Sequence, residues 1–248
     1  MRIQRAALIA TAVGLALPGA AGAQTAPSAT VTAKMTPNVA GKPANVRFGF
    51  SLKMADGSVP APLTNALVHL PNIKVDTKGL KVCSRGTLEA RGPSGCPAGS
   101  KVGTGTAHAS ALLGGTLINE PAKVTAFNGT RPGRPATLLL YNDGRQPISV
   151  QLVVGATLTP DTGQFGRKFN FPVPAIPTVP GSPDASVVDF TVTIGATTKA
   201  KEHGRSVTHH LVTAPKTCPS GGWDFRGDFS LRDGSKPSAG TKASCRKG

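Results

Sequence analysis

The chain has 248 residues, with 28 lysines and arginines against 12 aspartates and glutamates, a formal net charge of +16 at pH 7. It contains one Trp and one Tyr, so the aromatic stacking platforms of nucleic-acid-binding proteins are not indicated. The length is sufficient for a substantial core in one large domain or two small ones.

The first residues have the organisation of a secretory signal peptide. The basic residues Arg2 and Arg5 precede an apolar run over residues 6–17. Small side chains then lead to Ala23, which precedes Gln24 at a typical cleavage position. Because the apolar run is shorter than a bilayer requires, the pattern predicts a cleaved leader and no transmembrane segment.

We therefore predict a signal peptide over residues 1–23, cleaved between Ala23 and Gln24, and a single secreted β domain over residues 24–248. The protein is expected outside the cell or at the cell wall. Loss of the leader lowers the formal charge to +14, which favours anionic cell-envelope polymers as partners. The alternative is that this charge serves solubility alone. A monomer with no specific nucleic-acid partner is expected.

Four cysteines follow the leader. An even number of cysteines in an exported chain predicts disulfides, and four cysteines allow three pairings. We favour the two local pairs, Cys83–Cys96 and Cys218–Cys245, because each brackets a loop rich in Gly, Pro and Ser. Zinc binding is disfavoured, because the chain has no closely spaced Cys-x-x-Cys pair.

Alternating apolar and polar residues predict strands along most of the chain. The clearest alternation lies in residues 46–54, 188–194 and 223–231. The sequence Asn142-Asp143-Gly144 predicts a tight turn between two further strands. Five prolines in residues 172–184 predict an extended crossover or linker, because proline cannot donate to a strand ladder.

This pattern predicts an all-β fold. We expect an antiparallel β-sandwich of jelly-roll or Ig-like type, with about ten short strands and no significant helix after the leader. The order of the strands in the sheets is not predicted.

The segment around the first cysteine pair resembles a known sequence pattern. Residues 79–83 end in Val82-Cys83, and residues 96–105 read Cys-Pro-Ala-Gly-Ser-Lys-Val-Gly-Thr-Gly. Together with Phe127-Asn128-Gly129 and the closing segment from Cys218-Pro219 to Cys245, they resemble a group of uncharacterised exported proteins of high-G+C Gram-positive bacteria. The resemblance spans most of the chain after the leader. It implies export and a β-rich fold, and it implies no activity.

No catalytic constellation is evident. Asp224 and Asp228 are predicted on one face of a strand, where a glycosidase pair is conceivable, but balancing of surface charge is favoured. For His203, His209 and His210 an exposed polar loop is favoured over a metal site. The chain has no Gly-x-Ser-x-Gly elbow. We therefore predict no enzyme activity and no catalytic, cofactor-binding or metal-binding residue.

Three function classes remain. The favoured one is an exported, disulfide-stapled basic binding or structural module at the cell envelope or outside the cell. The alternatives are a secreted hydrolase without a visible motif and a carrier of a small apolar ligand held between the sheets. Convergent acids or histidines in a cleft would favour the hydrolase, a large dry cavity the carrier, and a flat basic face the envelope module.

Overall fold

The computed structural model describes residues 26–147 and 149–248, so the predicted leader and its cleavage site lie outside the described residues. The described chain forms fifteen strands, one α-helix and one short 3-10 helix at Gly92–Gly95. The elements are β1 (Ser28–Thr36), β2 (Asn45–Lys53), β3 (Leu63–Leu70), β4 (Lys74–Val75), α1 (Arg85–Arg91), β5 (Lys101–Leu113), β6 (Thr116–Asn128), β7 (Thr137–Gly144), β8 (Val150–Pro160), β9 (Arg167–Pro172), β10 (Ser186–Ile194), β11 (Thr197–Glu202), β12 (Arg205–His210), β13 (Val212–Thr213), β14 (Trp223–Leu231) and β15 (Ser238–Ala243).

Eleven of these strands form one sheet in the order β1-β2-β10-β5-β6-β7-β8-β9-β3-β14-β15. Every pairing in it is antiparallel, which confirms the all-β, antiparallel prediction. The sequence predicted two sheets that face each other. In the structure these strands belong to one continuous sheet, because β8 pairs with both β7 and β9.

The two edges of this sheet meet. Strand β1 packs beside β15, and the residue after the second disulfide, Arg246, pairs with the turn between β1 and β2. The Ala40 N–H donates to the carbonyl oxygen of Arg246 at 3.0 Å, and the Arg246 N–H donates to that of Asn38 at 2.9 Å. These bonds define a seam at which the sheet is nearly closed around an interior.

Aromatic side chains fill one side of that interior. Trp223, Phe225 and Phe229 of β14 alternate with polar residues, as predicted, and each is 1% exposed. The ring of Phe229 lies 4.6 Å from that of Phe50 on β2, measured between centroids. Met35 of β1 is fully buried beside them in the same core. Strands β1, β2 and β14 therefore enclose a densely filled half of the interior.

The glycines of the Val-Gly-Thr-Gly motif lie on β5, where the backbone of β10 approaches closely. A Cβ atom at Gly105 would lie 2.0 Å from the carbonyl oxygen of Thr191, and one at Gly103 would lie 2.3 Å from that of Thr193. Any larger residue would push the two strands apart. Strand packing therefore explains the repeated glycine in this motif.

The first disulfide encloses α1, the one α-helix of the described residues. The Ser84 hydroxyl caps this helix by accepting a hydrogen bond from the Thr87 N–H at 3.0 Å. Leu88 is completely buried on the outer face of the sheet, in a small core with Phe127 and Tyr141. The helix has only seven residues, which is too short to produce a clear helical period in the sequence.

The tight turn predicted at Asn142-Asp143-Gly144 is wrong. These residues are the end of β7, and the connection to β8 follows them. A Cβ atom at Gly144 would lie 2.7 Å from the Oε1 atom of Glu120 on the neighbouring strand β6. The glycine therefore leaves room for a neighbouring side chain within the ladder, whereas the turn motif suggested a change of chain direction.

A crossing segment, residues 173–185, connects β9 to β10. These strands are separated in the sheet by β5, β6, β7 and β8, so the segment passes over one end of the interior. Its Val173 N–H donates to the Thr64 carbonyl oxygen at 2.9 Å. Ile176, which is buried, points inward from it, and the Ala185 N–H donates to its carbonyl oxygen.

Candidate functional site: an apolar interior cavity

A cavity of about 190 Å³ lies in the interior of the sheet, and Trp223, Phe225 and Phe229 are not among the residues of its wall. Strands β2, β3 and β5 to β10 contribute inward-facing side chains to its wall. Phe48, Val68, Leu140 and Val154 are examples, and all four are buried. Ile176 of the crossing segment lies in the wall at one end. The sheet thus surrounds an almost wholly apolar chamber.

Small side chains explain why this chamber is not filled. Five alanines occur in the wall: Ala66, Ala107, Ala109, Ala122 and Ala136. Ala107 of β5 and Ala122 of β6 are direct cross-strand partners, so two methyl groups stand where two larger side chains would otherwise meet. An engineered apolar cavity of about 150 Å³ stays dry and binds benzene or xenon, so this chamber is large enough for a small apolar molecule.

A few polar groups lie in the wall in fixed positions. At the end near the crossing segment, Glu120 is buried and its Oε1 accepts a hydrogen bond from the Gln146 N–H at 3.1 Å. Asn142, also in the wall, donates to the Leu140 carbonyl oxygen at 3.3 Å. Glu120 and Asn142 are therefore polar side chains in an otherwise almost wholly apolar wall.

A histidine lies between two carboxylates on the outer face of β3. The Nδ1 atom of His69 is 2.5 Å from Asp161 Oδ2, and its Nε2 atom is 2.9 Å from Asp228 Oδ2. Each ring nitrogen of His69 therefore faces a carboxylate oxygen at hydrogen-bond distance. Lys168 lies 3.5 Å from Asp161, and the ring of Phe165 lies over the imidazole at 5.1 Å between centroids.

The Asp161 carboxylate is stabilised in its ionised form. Burial raises the pKa of Asp161, but the hydrogen bonds from His69 and the Thr162 backbone and the charges of His69 and Lys168 outweigh it. The pKa of Asp161 is therefore lowered from its ordinary value. A group of this kind stabilises the fold above its unfolded pKa, and the contribution is lost as the pH falls through the folded pKa.

Asp161→Asn is expected to lower the free energy of unfolding by about 2 kcal/mol near neutral pH, because it removes the ionised carboxylate that accepts the hydrogen bond from His69. The difference from the wild type should shrink as the pH falls below about 4, where the unfolded carboxyl takes up a proton while the folded one is still ionised. Urea denaturation at about pH 7 and about pH 3 measures both.

Glu89→Gln is the matched control for this carboxylate. Glu89 forms a 3.6 Å ion pair with Arg85 in which both side chains are at least half exposed. Its replacement should change the free energy of unfolding by less than about 0.5 kcal/mol at either pH. An equal loss in both variants, or a loss in Asp161→Asn that does not depend on pH, would contradict the assignment.

A polar pocket of about 360 Å³ lies beside the β11–β12 hairpin. The Nδ1 atom of His209 is 3.0 Å from Asp76 Oδ2, and its Nε2 atom is 3.4 Å from Glu202 Oε1. Lys78 forms a 2.9 Å ion pair with Glu202. Burial raises the pKa of Asp76, but the His209 hydrogen bond and the Lys78 backbone N–H outweigh it, so this pKa is lowered.

The histidines considered from the sequence have different environments. His203 is exposed at the turn of the hairpin, whereas His209 is buried, which corrects the expectation of an exposed loop. The reason is that β12 pairs with β11 and places the His209 side chain against Asp76. Within the described residues, no group of three or more His, Cys, Asp or Glu side chains could hold a metal ion.

The two aspartates considered as a glycosidase pair each contact a cation. Asp224 lies 2.7 Å from the Nζ atom of Lys242, and Asp228 lies 2.7 Å from the Nε atom of Arg226 and also contacts His69. This arrangement matches the charge balancing favoured from the sequence.

The predicted cysteine pairing is confirmed. Cys83 is bonded to Cys96 and Cys218 to Cys245, with Cα–Cα distances of 5.2 and 5.7 Å. In the described part of the chain no helix is both long and apolar enough to cross a membrane.

The fold and the cavity define an all-β protein in which a nearly closed antiparallel sheet surrounds an apolar chamber. A scan against protein-family models, a search of curated proteins and a search of solved structures each found no match.

Proposed function

We propose that the protein is an exported binding protein that holds a small apolar molecule in the cavity inside its sheet. The cavity itself supports this proposal. An unfilled apolar chamber lowers the stability of a fold, and a bound apolar molecule would restore the missing contacts. Among the three classes that the sequence leaves open, a dry internal cavity favours the carrier. A binding role without catalysis is part of the proposal.

The physical chemistry of the wall supports an apolar ligand. Each Å² of apolar ligand surface that moves from water into the cavity contributes roughly 25 cal/mol to the free energy of binding. An apolar wall that encloses the ligand buries most of its surface. The size of the chamber indicates a molecule with one or two rings or a short aliphatic chain. Glu120 and Asn142 would accept one polar substituent at the end near the crossing segment.

Export and location are also proposed. The predicted leader and the two disulfides support export, because disulfides persist in oxidising compartments outside the cytoplasm. The formal charge of +14 that remains after loss of the leader supports retention near anionic envelope polymers as a monomer. Weaker retention on such polymers at higher salt would be the expected behaviour.

Ala107→Leu is expected to weaken the binding of toluene or indole by at least about tenfold, because the longer side chain extends into the cavity. Isothermal titration calorimetry and the ligand-induced rise in melting temperature measure the effect. Wild-type protein should bind at least one of these compounds and melt at a higher temperature in its presence.

Ala55→Leu is the matched control, because Ala55 is exposed in the turn after β2 and the change adds the same atoms outside the cavity. It should bind as the wild type does. Ala122→Val provides a second, smaller filling of the chamber if Ala107→Leu disturbs the fold. Wild-type protein that binds neither these compounds nor short alkanols would contradict the proposed function.

A further inference from the structure

The hairpin between β5 and β6 projects beyond the rest of the sheet. Strand β10 pairs with β5 only as far as Ser110, and β7 begins to pair with β6 only at Ala122. Ala111, Leu112 and Leu113 therefore have strand partners only across the hairpin, in residues 116–118. We call residues 111–119 the leucine tip. It ends in a Gly114-Gly115 turn, at which both glycines have positive φ.

The leucine tip is apolar and uncharged in a chain that is otherwise strongly basic. Residues 109–119 contain no Lys, Arg, His, Asp or Glu. Leu112 and Leu117 are cross-strand partners and are 45% and 51% exposed. Exposed hairpins of soluble proteins generally bear charges that oppose association, so an exposed leucine pair without charge indicates a contact surface.

The tip lies at the same end of the fold as the crossing segment. On its inner face, Ala111 packs with Ile176 and Ala185 of that segment, and Ile176 is part of the cavity wall. Val179 of the crossing segment is also 46% exposed. Three of the four large apolar side chains exposed in the described residues therefore lie on elements at this end.

We propose that the leucine tip docks on an anionic lipid surface and presents this end of the cavity to the bilayer, from which the apolar ligand enters. The inference rests on the proposed function and adds the source of the ligand. Insertion of the two leucine side chains removes apolar surface from water, and the basic charge of the protein adds an attraction to anionic lipid.

A second copy of the chain fits this surface less well. Stable protein interfaces bury on the order of 1,000 Å² or more, whereas the exposed apolar part of the tip is essentially one cross-strand pair of leucines. Two copies that each carry a formal charge of +14 after loss of the leader also repel one another, while the same charge attracts an anionic bilayer.

The test is co-sedimentation with vesicles of phosphatidylcholine containing a minority of phosphatidylglycerol. The double variant L112S/L117S is expected to lower the vesicle partition coefficient by at least about tenfold, because it removes the inserting apolar surface. The control is Val82→Ser, since Val82 is 37% exposed but lies beside the first disulfide, on a different element. This control should partition as the wild type does. Added salt should weaken but not abolish wild-type binding.

Binding of toluene or indole in solution separates this inference from the proposed function. L112S/L117S should still bind these compounds, because neither leucine lines the cavity. Wild-type protein that binds the compounds but does not co-sediment with vesicles would overturn the docking inference alone. Equal partitioning of wild type and L112S/L117S, or a wild-type dimer that the same change dissociates, would also overturn it. The single variant Leu117→Ser serves if the double variant is unstable.

Discussion

Trp223→Ala is expected to destabilise the protein by about 3–5 kcal/mol, the usual range for truncation of a buried large aromatic side chain. Trp223 is 1% exposed at the start of β14, and its indole N–H donates to the Thr217 carbonyl oxygen at 2.8 Å. The variant would leave a void in the filled half of the interior and remove the partner of that carbonyl group. Since small domains are stable by only about 5–15 kcal/mol, this loss is large.

Chemical denaturation followed by far-UV circular dichroism measures this effect, because the variant lacks the chain's one Trp and with it that fluorescence signal. Trp223→Phe should cost less, since it keeps a ring in the core and loses mainly the hydrogen bond. Leu117→Ala, at a half-exposed position, should change stability by less than about 0.5 kcal/mol. Similar midpoints for wild type and Trp223→Ala would contradict this account of the core.

Local signals in the sequence predicted the main strands and the disulfides, but they missed the short helix α1 and misplaced the turn after β7. The alternation in residues 223–231 predicts β14 and its buried face, because a half-buried strand must repeat every second residue. The short segments between paired cysteines predict both disulfides, since nearby cysteines are the easiest to join.

The arrangement of these elements depends on contacts distant in sequence. Strand β10 inserts between β2 and β5 and so joins β1 and β2 to the rest of the sheet, and no local pattern specifies that order. The cavity depends on the summed volume of side chains from many strands, so each alanine in its wall is unremarkable in isolation. One signal was available: Glu120 falls in register with the inward-facing Ala122 and Val124 and so could have been placed inside.

The polar clusters could not be predicted for the same reason. His69 meets Asp161 and Asp228, which are 92 and 159 residues away in sequence. His209 meets Asp76 across 133 residues. Alternation places His69 on the outer face of β3, but only the strand order brings the two carboxylates to it.

The Cys218–Cys245 disulfide holds the closing edge of the sheet in place. Cys245 follows β15, and the next residue, Arg246, forms the backbone hydrogen bonds of the seam with Asn38 and Ala40. Cys218 lies in the connection that leads to β14. The bond therefore ties the last segment of the chain to a core strand beside the seam, whereas Cys83–Cys96 encloses only α1 and the 3-10 turn.

The double variant C218S/C245S is expected to lose about 3.5 kcal/mol, against about 3 kcal/mol for C83S/C96S, because a cross-link over 27 residues restricts the unfolded chain slightly more than one over 13. The two variants should differ more clearly in which backbone hydrogen bonds open. Without the second disulfide, the seam is held mainly by the backbone hydrogen bonds of Arg246 with Asn38 and Ala40, and so few bonds open readily. Amide hydrogen exchange should therefore show Ala40 and Arg246 losing protection in C218S/C245S and retaining it in C83S/C96S. Equal protection of these two amides in both variants would mean that the closed sheet does not depend on this disulfide.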